Sequence, residues 1–387
     1  MAIVYVVGAG ASYGEEFSAV EPRFPHSKVS PPITTGFFSQ ELLLALKQDI
    51  DVIKEEFREL FNWTMLSCLS TQERCFGEGE WKSLNIEDVF TRLEICREFE
   101  SPMGRTGAAL LVIRNQLLDY IRRIIGLCTR NARGRYYQTL IGNLRHDDSL
   151  ITFNWDLLLD QCFFGTSNTL PHYNNFLERI DESDGSEFIF RLHPGGGLFL
   201  KLHGSLNWFQ CTNRICSSAG KVIVQRDTKF CLACSLGTDR FTCRRCGSDS
   251  APLIIPPVLR KTITQEETVR AAWGLAKAML QRANVVVVIG FSAAPTDFYA
   301  SWLLNTAVED PMRLRETLLS RKSVIVANPL NDRAELGAED FERRMRKLFP
   351  HGYDARFKRF SEIEQICELA KDLSGPIEPN LPTEAPT

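Results

Sequence analysis

Residues 2–12 read Ala2-Ile3-Val4-Tyr5-Val6-Val7-Gly8-Ala9-Gly10-Ala11-Ser12. Five β-formers in a row, closed by a glycine turn, predict a short buried strand. An apolar run with no polar alternation belongs to a parallel sheet covered by helices on both faces. Glycines after such a strand let the backbone approach a pyrophosphate, and exposed N–H groups can donate to it. The spacing is G-x-G-x-x-x-G, ending at Gly14, not the usual G-x-G-x-x-G. No clear ribose-binding acid follows the second strand, so a standard dehydrogenase fits poorly.

The same grammar recurs along the chain. Strand-like runs at 149–153, 198–202, 284–289 and 322–327 end at Asn154, His203-Gly204, Gly290 and Asn328-Pro329. Helical spacing predicts helices over 37–46, 52–66, 85–98, 105–128 and 136–144, then over 264–282, 297–307, 338–348 and 361–373. Residues 166–187 are polar and read as a loop; 353–360 reads as an edge strand. Strands alternating with helices predict a doubly wound parallel α/β sheet. One domain is expected over 1–373, with a helical insertion at 36–147 and a small cysteine-rich module at 209–250. The Pro-rich tail, 374–387, is expected to be disordered. Ligands of such sheets bind beyond the carboxyl ends of the strands. Five small or polar endings in one chain describe a nucleotide site.

Bulk composition narrows the classes. The net charge of −3 leaves no basic field to advertise direct nucleic-acid binding. Nowhere do about 18 apolar residues follow one another, so no membrane span is expected. The first apolar stretch is too short for a signal peptide and lacks its charged front, so a cytoplasmic location is expected. Of twelve cysteines, six are scattered and read as reduced core thiols. The other six lie between Cys211 and Cys246. Cys231-Leu-Ala-Cys234 and Cys243-Arg-Arg-Cys246 are two C-x2-C knuckles that could share one tetrahedral zinc. Only eight residues separate them, fewer than the roughly 15–20 usual for such pairs. Cys211-x4-Cys216 is an alternative first pair. Four thiolates leave no open position, so the zinc would be structural.

The ordered set GAGAS, TFNWD, KLHGS, GFS and ANP resembles the sirtuin superfamily. It looks closest to the sirtuin-like NADases of bacterial anti-phage defence systems. The resemblance spans about 1–373, loosely so over 40–148. It implies that Ala9, Gly10 and Ser12 hold the diphosphate and nearby ribose of NAD. Asn154 would lie beside the nicotinamide ribose, Asp156 would hold the carboxamide, and His203 would be the catalytic histidine. Gly290 and Ser292 would contact phosphate or the adenosine ribose, and Asn328 the adenosine ribose. Self-assembly and control by a partner such as a HerA-type ATPase are further implications.

Those residue types suit the chemistry. Nicotinamide leaves as a neutral molecule from a cationic precursor, through an oxocarbenium-like transition state. What helps is a positioned ribose, a proton acceptor and a positioned nucleophile. Histidine suits the proton and asparagine suits orientation. Each residue also has a plainer reading. Asn154 could cap a helix at 156–164. His203 could be a core histidine, and Trp155, Trp208 and Phe291 could be packing alone. Departures from the deacylases of the family point to hydrolysis. Phe153 stands where they carry glutamine. Pro252, Pro256 and Pro257 lie where they pair with a peptide strand. Their Pro-Asp-Phe-Arg loop has only Pro22-Arg23-Phe24 as a counterpart. The expectation is therefore NAD+ glycohydrolysis. The alternatives are protein deacylation or ADP-ribosyl transfer, and a non-enzymatic subunit that senses NAD or ADP-ribose.

Overall fold

A computed structural model describes residues 2–15, 30–46, 48–69, 78–99, 107–129, 132, 134–164, 172–173, 178–179, 188–189, 196–219, 221–225, 227–235, 240–256, 267–295, 297–308 and 322–375. Pro22-Arg23-Phe24 and the tail beyond 375 lie outside them.

The chain starts with β1 (Ile3–Val7) and α1 (Ala9–Gly14). A helical segment follows: α2 (Gln40–Ala45), α3 (Ile50–Glu56), α4 (Arg58–Cys68), α5 (Glu78–Ser83), α6 (Ile86–Glu98) and α7 (Gly107–Thr129). Then come α8 (Arg135–Gly142), β2 (Ser149–Thr152) and α9 (Leu158–Phe164). Short strands β3 (His172–Tyr173), β4 (Glu178–Arg179) and β5 (Phe188–Ile189) precede β6 (Leu198–Lys201) and β7 (Gly204–Cys211). The rest comprises β8 (Val222–Val224), α10 (Thr228–Ser235), β9 (Ser250–Ile254), α11 (Glu267–Arg282), β10 (Val285–Ile289), α12 (Phe298–Val308), β11 (Ser323–Ala327), α13 (Ala338–Leu348) and α14 (Ile363–Ser374).

The main sheet has the order β11-β10-β1-β2-β6-β3, and every pairing is parallel. Side chains alternate across it, as a period of two requires. Val4, Val6, Ile151, Leu200, Val286 and Val288 join the core under α11, α12 and α13. Ile3, Tyr5, Val7, Leu150, Phe199, Val285 and Val287 join the opposite core, under α8, α9 and α14. Each fully buried Val or Ile contributes roughly 1.5–3 kcal/mol. The expected doubly wound α/β sheet is therefore the architecture observed. The chain adds β2 and β6 on one side of β1, then returns to add β10 and β11 on the other. That reversal places a crevice at the carboxyl ends of β1 and β10.

Four local expectations change. The helix expected over 52–66 is two helices, broken at Phe57, whose φ of −109° and ψ of 34° interrupt the turn. The edge strand expected at 353–360 is a single bridge from Asp354 to Ile325. The polar stretch 166–187, expected as loop, contains β3 and β4, because backbone pairing to β6 and β5 needs no apolar side chains. Finally, α8 packs on the main sheet and not within the helical insertion: Tyr137, Leu140 and Ile141 sit in the sheet core.

The insertion has its own core, which includes Trp63, Trp81, Phe90 and Tyr120. That core runs on through Leu206, Phe209 and Ile254 into the antiparallel sheet β8-β7-β9. This smaller sheet therefore reaches from Gly204 to Ile254, wider than the 209–250 expected. Among the described residues no helix is long and apolar enough to cross a membrane.

Candidate functional site

An open cleft lies at the carboxyl ends of the strands. Its wall includes Gly8, Ala9, Ser12, Asn154, Asp156, His203, Gly290 and Ser292. These come from the ends of β1, β2, β6 and β10.

The first two strand ends are tied together by one hydroxyl. Ser12 Oγ donates to Asp156 Oδ2 at 2.7 Å and accepts from Asn154 Nδ2 at 2.9 Å. It also shares a hydrogen bond of 2.8 Å with Tyr137 Oη. A hydroxyl has one donor and two acceptor sites, so its capacity is filled. Any contact of Ser12 with a phosphate falls to its backbone. Asn154 Nδ2 also donates to Gly8 O at 3.1 Å. The amide is thereby fixed, and Asn154 Oδ1 is buried with no hydrogen-bond partner among the described residues. Such an acceptor costs about 1–3 kcal/mol unless something donates to it.

Asp156, not Asn154, caps the following helix: its Oδ1 accepts from Leu158 N at 3.0 Å. The helix starts at Leu158, two residues beyond the start expected from sequence, which moves the capping position onto the aspartate. Burial pushes the Asp156 carboxyl above the usual aspartate range; Lys201, the Ser12 hydroxyl and the Leu158 amide pull it back. Behind it, Lys201 Nζ donates to Asp156 O at 2.8 Å and to Asp160 Oδ2 at 2.6 Å. Asn207 Nδ2 donates to Asp160 Oδ1 at 3.2 Å. This buried charge pair braces the floor of the cleft.

His203 is 3% exposed and clusters with the rings of Phe153, at 5.2 Å, and Trp273, at 6.1 Å and 27°, which also touch each other at 6.2 Å. Its Nε2 is 3.7 Å from Asp297 Oδ1. Asp297 is itself buried, lines the cleft, and accepts from Ala300 N at 3.4 Å at the start of α12. Sequence reasoning missed Asp297, Glu87 and Tyr137. The insertion also lends Phe37 and Ile125 to the cleft wall, preceded by the segment Pro31–Thr34. Nothing in their local sequence marks them, because only the packing of distant elements brings them to the crevice.

Two expected positions are not in that wall. Gly10 donates its N–H to Gly290 O at 2.9 Å. A Cβ at Gly290, whose φ is 63°, would meet Ala11 N at 2.1 Å. These glycines allow β1 and β10 to touch. Asn328 spends its amide on Phe291 O and Leu330 N, at 3.2 and 3.0 Å, holding the turn after β11. Phe291 packs on Phe153 at 5.2 Å, and Trp155 donates to Ile255 O at 3.3 Å.

A second site lies in the small sheet. The sulfurs of Cys211, Cys216, Cys243 and Cys246 all lie within 4.8 Å of one another. The pairs Cys211–Cys246 and Cys216–Cys243 are at 3.5 and 3.9 Å. A tetrahedron with Zn–S bonds of about 2.3 Å has S···S edges of about 3.8 Å. The four thiols therefore fit a structural zinc. The ligand set expected from the two C-x2-C pairs is corrected by this grouping: Cys243 and Cys246 belong to it, Cys231 and Cys234 do not. Cys231 and Cys234 sit on α10, where i,i+3 spacing turns both into the insertion core. Burial pushes the Cys231 thiol up. Hydrogen bonds from the Ser248 side chain and backbone bring Cys246 down to about 6, and backbone N–H groups of Arg245 and Cys246 lower Cys243. Loss of hydration holds Cys211 up at about 12 without a metal. A bound cation would deprotonate it.

The sequence matches no family model and no curated protein. Solved structures of Sir2 homologues are similar to it in outline. One, a complex with NAD, is 15% identical, covering 96% of this chain and 91% of its own, with a TM-score of 0.39. A variant bound to 2'-O-acetyl ADP-ribose is 16% identical, covering 97% and 94%, with a TM-score of 0.38. A third Sir2 enzyme is 13% identical over 96% and 92%, at 0.37. At such values the likeness assigns no activity to this chain.

Proposed function

We propose that this chain is an NAD+ glycohydrolase that releases nicotinamide and ADP-ribose. The observation that carries the reading is Asn154 Oδ1: a buried acceptor in the cleft wall, with its amide immobilised and no partner of its own among the described residues. A ribose hydroxyl or an attacking water is the donor it lacks. His203 stands in the same wall as the proton acceptor. The C–N bond from ribose to nicotinamide breaks, and its electron pair goes to the ring. Water adds to the ribose carbon, and one proton passes to His203 and then to solvent. Asp156, buried beside Asn154, is the candidate for the carboxamide. Ala9, Gly290 and Ser292 remain the candidates for the diphosphate and adenosine ribose. Gly10 and Asn328 serve that end of the site through the backbone they hold.

The test is release of nicotinamide from NAD+ alone, followed by chromatography. The native protein is expected to turn over without an acceptor, and Asn154→Ala to lose at least about 100-fold while remaining folded by circular dichroism. Release that requires an acylated peptide would replace hydrolysis by deacylation. Binding of NAD+ without turnover would make the chain a sensor. The resemblance to defence NADases extends the proposal to NAD depletion during phage infection, in a self-assembled form controlled by a HerA-type partner. Mass photometry and co-purification test that extension.

A further inference from the structure

We infer that Asp297 is the positioning residue that makes His203 an effective proton acceptor; this rests on the NAD+ hydrolysis proposed above. Both side chains are buried in the cleft wall. Nε2 and Oδ1 are 3.7 Å apart, a distance for charge stabilisation that a small ring movement would turn into a hydrogen bond. The carboxylate is not loose. Its Oδ1 caps α12 through Ala300 N, so its place is set by a helix packed on the sheet. The imidazole packs on the touching rings of Phe153 and Trp273, which offer it no charge. Among the described residues, the other titratable groups of the cleft wall are Glu87 on α6 and Asp156. Asp297 is the one in ion-pair range of the ring.

A proton taken from a ribose hydroxyl or water leaves a cationic imidazolium in a site of low dielectric. A fixed carboxylate beside it lowers the energy of that cation and fixes the ring's orientation. The proton stays on His203 until product leaves; Asp297 remains ionised throughout.

The variant to make is Asp297→Asn, which keeps a capping oxygen for Ala300. Nicotinamide release should fall about 100-fold in kcat, with KM changed less than about 3-fold. The low-pH limb of the rate profile should move to lower pH. In a His203→Ala background the same change should cost nothing more, because the two act as a unit. An additive loss, or an unmoved limb, would overturn the inference. A readout independent of turnover is the imidazole NMR titration of His203. Asp297→Asn should shift its midpoint to lower pH, and an unchanged midpoint would also overturn the inference. If the native protein releases no nicotinamide yet the midpoint shifts, the pair stands and the hydrolytic reading falls.

Discussion

At the scale of single residues, the site is a set of polar groups whose bonding capacity can be counted. Ser12 is full, Asn328 is committed to a turn, and Asn154 has an acceptor to spare. The count separates residues that hold the site from the one that can hold a ligand. Asp156 has a consequence for stability. A free aspartate titrates near 3.8, and burial raises this one. Below both values the folded and unfolded chains are protonated, and the cost of burying the charge is absent. As pH rises through the interval, the unfolded chain releases its proton first and stability falls. Above the folded value the full cost is present. Asp156→Asn removes this dependence. The melting temperature of the native protein minus that of Asp156→Asn should therefore increase as pH is lowered from about 7 to about 4. A difference that stays flat or shrinks would contradict the buried-carboxylate reading.

At the scale of elements, the sheet was legible because its strands have no wet face. Runs such as Val285–Ile289 leave a parallel, doubly covered strand as the only arrangement that buries every side chain. Strand endings were legible for a related reason: polar residues abruptly follow apolar ones where the crevice opens. What could not be read was which residues far from a strand end would reach the crevice. Asp297 follows a loop, and Glu87 stands in the first turn of an insertion helix. The cysteines misled for a different reason. C-x2-C is both a knuckle spacing and a one-turn helical spacing, and Phe230, four residues before Cys234, shares the helical face that 228–235 turns to the insertion core. Buried charge at the end of β6 is likewise explicable only through its neighbours. Lys201 is 1% exposed and satisfies Asp160. Lys201→Met should cost about 3–5 kcal/mol in urea denaturation, because it strands a buried carboxylate. Adding Asp160→Leu should restore most of that loss. A single-variant cost below about 1 kcal/mol would mean that water reaches Asp160.

At the scale of the whole molecule, one strand joins the two sites. β7 begins at Gly204, the residue after His203, and ends at Cys211. At about 3.4 Å per residue, its eight residues put the thiol cluster some 25 Å from the histidine. A metal there cannot take part in the chemistry; it can anchor the far end of the strand that carries the histidine. The near end is pinned by Ile255 N donating to His203 O at 2.8 Å, at the close of β9. Since β9 pairs with β7 up to the Cys211–Ser250 register, loosening the thiol corner frees both strands toward the cleft. Structural zinc contributes on the order of 10 kcal/mol to such modules. The purified chain should thus carry about one zinc per molecule. Cys211→Ser/Cys216→Ser should lose it, and Cys231→Ser/Cys234→Ser should keep it. Chelation should raise hydrogen exchange first around 211–216 and 243–250, then along β7 to the Ile255 amide, with nicotinamide release failing as that amide loses protection. Zinc retained in full by Cys211→Ser/Cys216→Ser would return the ligand set to the two C-x2-C pairs. Exchange confined to the thiol corner while release fails would break the mechanical link between the sites.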